Sequence, residues 1–307
     1  MSTGLDHQPR VLSIQIHVVS GYIGNKAAVF PMQLLGFDVD IINSIQRCNP
    51  KHYKVCNGQV LNGDDLKCLY DGIKENDINR YSHVLTGCVN SISFLREVIR
   101  VVKDIQEANP NVVYLCDPLL GDHGIFYVLK ELIPIYRDEV IPLADIVTPN
   151  QFEAELLTGI KITIEEEALK AMQILHDKGV KTVILTSYET EGKQDTLTLI
   201  ATQVKDGKKT GFKFEYPKLN MRFKGTGDVL SALLLVWTHR HPDNLQLACE
   251  KVLSTMQGIL QRTYSQAQSG AGGTPPPAEC ELRIVGSKVD IENPPEPVNI
   301  KGAVLSF

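Results

Sequence analysis

Short runs of β-branched and apolar residues alternate along most of the chain with stretches whose apolar positions recur at helical spacing. Strands are predicted at VLSIQI (11–16), FDVDIIN (37–43), HVLTGC (83–88), VVYLCDP (112–118), ADIVTPN (144–150) and TVILTS (182–187). Between them AAVFPMQLLG, DDLKCLYDGIKEN (64–76), SFLREVIRVVKDIQEA (93–108) and a segment at 165–178 read as helices, and two more follow at 228–239 and 243–266. TLTLIATQV and KTGFKFEY, joined across Asp206-Gly207, predict a hairpin. This β-α-β-α order predicts an α/β fold, a mostly parallel central sheet with helices on both faces. SGAGGTPPPAE (269–279) is a Gly/Pro-rich break, expected to be a mobile loop at about 268–279. CELRIVGSKVDIENP beyond it alternates like a strand and is expected to dock again. No internal repeat or second domain is visible, so a mobile tail at 1–9 and a single domain at 10–307 are expected.

Composition narrows the function classes. The 307 residues are 43% hydrophobic and 22% charged, ordinary for a globular protein, and the formal net charge of −5 gives no basic footprint for nucleic acid. No apolar run approaches the roughly 18 residues of a membrane span. The start, MSTGLDHQPR, lacks the apolar core of a signal peptide. Seven cysteines without a CxxC pair point to reduced, mostly buried thiols and a cytoplasmic setting. The eight histidines show no metal-ligand spacing, and HRH at 239–241 reads as favouring the C-terminus of the preceding helix.

The candidate chemistry lies at strand ends. In such sheets ligands bind beyond the carboxyl ends of the parallel strands. The first strand leads through Gln15, Ile16 and His17 into a loop containing Gly21 and Gly24; the others end in Asp117-Pro118 with Asp122 close behind, Thr148-Pro149-Asn150 with Glu153 three residues on, and Thr186-Ser187. Each alone reads as a turn or cap. FKGTGDVLSALLLVW (223–237) adds a helix that begins Gly225-Thr226-Gly227-Asp228. Asp there can be a structural cap, or the free N–H groups can bind an anion while Asp228 takes a proton. Together these groups suit phosphoryl transfer: Asp117 and Glu153 for Mg²⁺, the glycine-flanked amides for phosphoryl charge, Asp228 as base. The absence of GxxxxGK[ST] excludes a P-loop, and GYIGNK lacks GxGxxG spacing.

These residues resemble the pyridoxal kinases of the ribokinase-like superfamily. The resemblance runs from about 11 to 268 and resumes at ELRIVGSKVDIENP; SGYIGNKAAVFPMQLLGFDVD, GQVLN, CDPLLGD, IPLADIVTPNQFEAELLTG and GTGD followed by LLLVWTHRHP carry it. It implies transfer of the ATP γ-phosphate to the 5′-hydroxymethyl group of pyridoxal, pyridoxine or pyridoxamine, with Asp228 as base and Gly225, Thr226 and Gly227 as anion hole. Asp117, Asn150, Glu153, Thr186, Ser187, Thr226 and Gly227 are implied on the nucleotide side, bordered by Tyr127 and Leu219. Asp117, Asp122, Glu153, Thr148 and Thr186 are the implied metal-side residues, for Mg²⁺ (or Zn²⁺ in its place) and a monovalent K⁺ or Na⁺. A homodimer is implied too.

The departures cluster where the vitamer should bind. The family usually has SIQSH where this chain has SIQIH, which puts Ile16 in place of a ring-binding serine. It usually has GY after VLT, whereas Cys88 follows Gly87 here; Lys51 replaces a pocket threonine, and Lys224 stands beside GTGD where a small residue or Thr is common. A lost hydrogen bond and a lost aromatic stack would weaken pyridoxal binding by about tenfold to a hundredfold. Two readings follow: drift with pairwise compensation, or a paralogue that has lost turnover or changed its substrate, for example to hydroxymethylpyrimidine.

Overall fold

The computed structural model describes residues 8–189, 195–268 and 276–307. The chain runs β1 (Arg10–Val18), α1 (Asn25–Leu34), β2 (Asp38–Arg47), β3 (Gly58–Val60), α2 (Gly63–Glu75), β4 (His83–Thr86), α3 (Ile92–Ala108) and β5 (Val113–Cys116). A small pair, β6 (Gly121–Asp122) and β7 (Ile125–Phe126), leads to α4 (Leu132–Ile135), which continues into a π-turn at Tyr136–Val140. Then come β8 (Ile146–Val147), α5 (Gln151–Thr158), α6 (Glu165–Asp177), β9 (Thr182–Tyr188), β10 (Thr196–Lys205), β11 (Lys208–Pro217), α7 (Thr226–Arg240), α8 (Leu245–Gln268), α9 (Lys288–Glu292) and β12 (Lys301–Val304).

Ten strands form one sheet in the order β12-β11-β10-β9-β8-β5-β4-β1-β2-β3. From β9 to β2 every neighbouring pair is parallel, and β3 and β10–β12 add antiparallel edges. Side chains alternate between faces along each strand. Leu12, Ile14, Val84, Tyr114 and Val183 therefore join the core under α2, α3, α5 and α6, while Val11, Leu85, Leu115 and Ile184 join the core under α1, α7 and α8. α7 is buried from Asp228 to Trp237, which explains its almost unbroken apolar sequence. The Asp206-Gly207 hairpin forms as predicted: both residues have positive φ (52° and 72°), the turn that matches the strands' twist.

Two expectations need correcting. CELRIVGSKVDIENP docks again, but as short turns and α9 rather than as a strand. Leu282 and Ile284 are buried, yet Val285 and Val289 are exposed and the next buried apolar residue is Ile291, so the alternation stops at Gly286. The Ser287 hydroxyl donates to the Arg283 carbonyl (2.9 Å) and starts a helical turn instead; the terminal strand is β12. All seven cysteines are free, but only Cys88, Cys116 and Cys249 are buried, and Cys68 lies on the solvent side of α2. The HRH segment does supply the last turn of α7 with His239 and Arg240; burial lowers the pKa of His239, and its ring packs edge-on against Phe37 and His83. Residues 1–7 of the expected tail and 269–275 of the expected loop lie outside the described residues.

Candidate active site

Because β1, β4, β5, β8 and β9 are parallel, their carboxyl ends share one edge, and the predicted groups come together there. The start of α7 faces this edge between two halves. β5, β8 and β9 supply Asp117, Thr148 and Thr186; β4, β1 and β2 lead to Cys88, Ile16 and Lys51.

The turn into α7 is fixed by backbone contact. Gly225 has φ +83°, and a Cβ there would lie 2.1 Å from the Tyr22 carbonyl oxygen. Gly24, with φ +54°, would meet the Ile16 carbonyl oxygen at 1.8 Å. The two glycines thus allow the loop after β1 to press against the Gly-Thr-Gly turn. No side chain caps α7, so its first N–H groups keep no intrahelical partner and suit an anion. Gly227 has ordinary φ; a Cβ there would meet only Asp117 Oδ2, at 3.7 Å.

Asp228 is 3% exposed; the Gly24 N–H donates to its carboxylate, and Oδ1 has no partner. Burial pushes its pKa up to about 6, against the pull of that N–H. Asp117 is also buried, with Oδ2 unpartnered. Burial raises it well above the usual carboxylate range, and the Glu153 and Asp228 charges add to this. Thr148 Oγ1 is a third buried polar atom without a partner.

Asn150 and Glu153 prove to be a capping box for α5: Asn150 Oδ1 accepts from the Glu153 N–H (2.9 Å), and Glu153 Oε2 accepts from the Asn150 N–H (2.9 Å). The carboxylate does more than cap. Its Oε1 accepts from the Leu120 N–H (2.9 Å) and the Gly121 N–H (3.4 Å), and Asn150 Nδ2 donates to the Gly121 carbonyl (2.8 Å). The pair therefore ties the loop after Asp117 to the end of β8. Burial pushes Glu153 up to about 8 although these N–H groups oppose it. Thr186 is held to the Pro149 carbonyl by its N–H (3.0 Å), Ser187 is half-buried beside it, and Leu219 lies half-buried between β11 and α7. Asp122 lies further out, 3.7 Å from His123 Nε2.

In the other half Ile16 and Cys88 are both buried. Burial pushes the Cys88 thiol up to about 12, with Asp228 adding to it and Lys51 opposing it, so its sulfur lies within the field of both. Lys51 Nζ donates to the Tyr127 carbonyl (3.0 Å), and Lys224 Nζ lies 5.9 Å from the centroid of the Tyr127 ring. Sequence reasoning missed Glu281. It is 5% exposed, accepts from the Tyr22 N–H (3.0 Å) and the Tyr53 hydroxyl (3.3 Å), and lies 3.6 Å from His52 Nε2. A charged residue between Cys280 and Leu282 is the only local sign of it.

A parallel sheet with its polar strand ends gathered around an uncapped helix start is the architecture of the ribokinase-like small-molecule kinases. The model of the family described as phosphomethylpyrimidine kinase matches residues 80–263. Pyridoxal kinase of Bos taurus is 49% identical over 303 residues, spanning 94% of this chain and 97% of that protein. The Arabidopsis thaliana pyridoxal kinase is 47% identical over 287 residues, 93% of this chain and 92% of that one. Pyridoxal kinase from Leishmania donovani, solved in complex with ADP and pyridoxamine, matches with a TM-score of 0.88 at 32% identity, over 97% of this chain and 99% of that one. The chain belongs to the pyridoxal kinase family.

Proposed function

We propose that this kinase transfers the γ-phosphoryl group of ATP to the 5′-hydroxymethyl group of a pyridoxal-type vitamer. The observation that carries the reading is Asp228: a buried carboxylate with one free oxygen, in the first turn of a helix whose N–H groups no side chain caps. As the hydroxyl oxygen bonds to the γ-phosphorus, its proton passes to Asp228 and the bond to the ADP oxygen breaks. The N–H groups from Thr226 onward donate to the transferring phosphoryl oxygens. A pKa of about 6 leaves Asp228 ionised at neutral pH yet close enough to that pH to accept a proton readily.

The nucleotide lies over the β5, β8 and β9 ends, against Asp117, Asn150, Glu153, Thr186 and Ser187, with Tyr127 and Leu219 at its border. The unpartnered oxygens of Asp117 and Thr148 fit a hard cation, which prefers oxygen ligands. Asp117 would hold Mg²⁺, with Glu153 and Asp122 acting through water, and Asp117, Thr148 and Thr186 would frame a monovalent ion. Bound Mg²⁺ would neutralise phosphate charge. An all-oxygen set of this kind supports Mg²⁺ over Zn²⁺. Among the described residues no helix is long and apolar enough to cross a membrane; a cytoplasmic homodimer acting without nucleic acid belongs to the proposal.

The test is ATP turnover with pyridoxal, pyridoxine, pyridoxamine and hydroxymethylpyrimidine, with mass spectrometry of the products. One phosphorylated pyridoxal-type product per ADP is expected. Phosphorylation of hydroxymethylpyrimidine alone would favour the changed-substrate reading, for which buried Ile16 and Cys88 are the specific observation. Nucleotide binding without any product would overturn the proposal.

A further inference from the structure

Two carboxylates hold the far end of the loop between β1 and α1. The first residues of that loop stay on the sheet: the Val19 and Ser20 N–H groups donate to the Arg47 and Cys48 carbonyls, both at 2.9 Å. Further on, the Tyr22 N–H donates to Glu281 Oε2 (3.0 Å), and the Gly24 N–H donates to the Asp228 carboxylate. Gly21, at φ +88°, lets the loop close on Glu281, since a Cβ there would lie 2.7 Å from Oε1. The Tyr22 carbonyl, on the other side of the same residue, is the group that presses on Gly225.

Glu281 is itself fixed beside the turn into α7. Its backbone forms a single parallel bridge with Lys224, the residue before Gly225. Its Oε1 accepts from the Tyr53 hydroxyl (3.3 Å) in the turn after β2, with His52 Nε2 at 3.6 Å. One buried carboxylate thus joins the loop after β1, the turn after β2 and the approach to the Gly-Thr-Gly turn. Asp228 depends on the first of these, because with Oδ1 free the Gly24 N–H is what orients its carboxylate.

Resting on the reading of Asp228 as base, we propose that Glu281 is a positioning residue for it. Through the Tyr22 N–H it holds Gly24 against the Asp228 carboxylate, so that the free oxygen stays aimed at the acceptor hydroxyl. Without that tie the Tyr22 N–H has no partner, and Gly21 and Gly24, both at positive φ and without side chains, leave the loop free to drift. A misplacement of about 1 Å at a reacting group can cost about a hundredfold in rate.

Three variants test the tie. Glu281→Met keeps the bulk and removes the acceptor, Glu281→Gln keeps an acceptor for Tyr22, and Gly21→Ala pushes the loop off Glu281 from the other side. Ile23-Gly24 is the only Ile-Gly pair in the sequence, so carbonyl-¹³C isoleucine with ¹⁵N glycine labelling isolates the Gly24 amide resonance. We expect that resonance to move upfield in Glu281→Met and Gly21→Ala, as it does when Asp228→Ala removes the acceptor. In both, kcat should fall by about tenfold to a hundredfold, with KM for ATP within about twofold of native. Glu281→Gln should recover most of the loss. The spectrum needs no turnover, so a native protein that forms no phosphate ester sinks the kinase reading alone. A Gly24 resonance that stays in place in both variants overturns the inference, as does a loss of kcat that Glu281→Gln repeats in full. If Glu281→Met does not fold, Gly21→Ala decides, because it loosens the same contact and leaves the carboxylate in place.

Discussion

Replacing Asp228 by Asn should stabilise the protein and disable it at once. The native carboxyl has a pKa of about 6 against an ordinary 3.8, because burial disfavours its charge. With the folded value raised, the stability contributed by neutral Asp228 is fully present below the unfolded value and is lost as pH rises through about 6. A shift of about two units corresponds to about 3 kcal/mol, the cost carried by the native state near pH 8. Asn keeps the shape and an acceptor for the Gly24 N–H, and has no charge to desolvate. For 307 residues the unfolding entropy is about 0.6 kcal/mol/K. Asp228→Asn should therefore melt up to about 5 °C higher near pH 8, with the gain shrinking towards pH 4. Turnover should fall by about 10²–10⁴-fold through loss of the base, with little change in nucleotide affinity. Thermal unfolding at the two pH values, beside ATP-dependent product formation, measures both effects. A variant that melts lower at both pH values, or keeps most of its turnover, refutes the reasoning.

The remaining predictions use other parts of the site. Gly225→Ala should lower Tm and abolish activity, since its Cβ would collide with the Tyr22 carbonyl at positive φ; Gly227→Ala should keep Tm within about 2 °C and lose turnover, since its methyl meets only Asp117 Oδ2 but enters the phosphoryl space. Comparing melting curves and kcat for the two separates a structural glycine from a chemical one. Asp117→Asn should raise the Mg²⁺ concentration needed for half-maximal rate more than it raises KM for pyridoxal; an unchanged Mg²⁺ titration at unchanged rate would count against Asp117 as a metal-side ligand. Ile16→Ser with Cys88→Tyr should lower KM for pyridoxal, and by more than either change alone, because both side chains belong to one buried cluster and neighbours couple. No gain in the double variant would show that the pocket has compensated elsewhere.

The sequence made the architecture legible wherever structure is local. Strand and helix periods, the Asp206-Gly207 turn and the β-α-β order together placed Asp117, Thr148, Thr186 and Asp228 on one edge, because parallel strands must end on the same side. Asn150 and Glu153 show the limit of that reading. Asn-x-x-Glu is both a ligand pattern and a capping box, and only geometry shows both side chains engaged with backbone groups. The stretch from 119 to 143 stayed unread, since the two-residue strands β6 and β7, the four-residue α4 and its π-turn are too short to show a period. Glu281 was invisible for a different reason: its partner Tyr22 is 259 positions away, a contact that only the folded sheet creates.

Phosphoryl transfer from ATP to a hydroxymethyl oxygen at Asp228 forms a new ester bond, and ³¹P NMR of the reaction mixture observes that bond directly. Incubating the protein with ATP, Mg²⁺ and pyridoxal should give a phosphomonoester resonance coupled to the two methylene protons of the acceptor. It should grow in step with ADP and be absent on the same timescale with Asp228→Asn. Inorganic phosphate as the only new resonance, or an ester formed equally fast by the Asn variant, would contradict it.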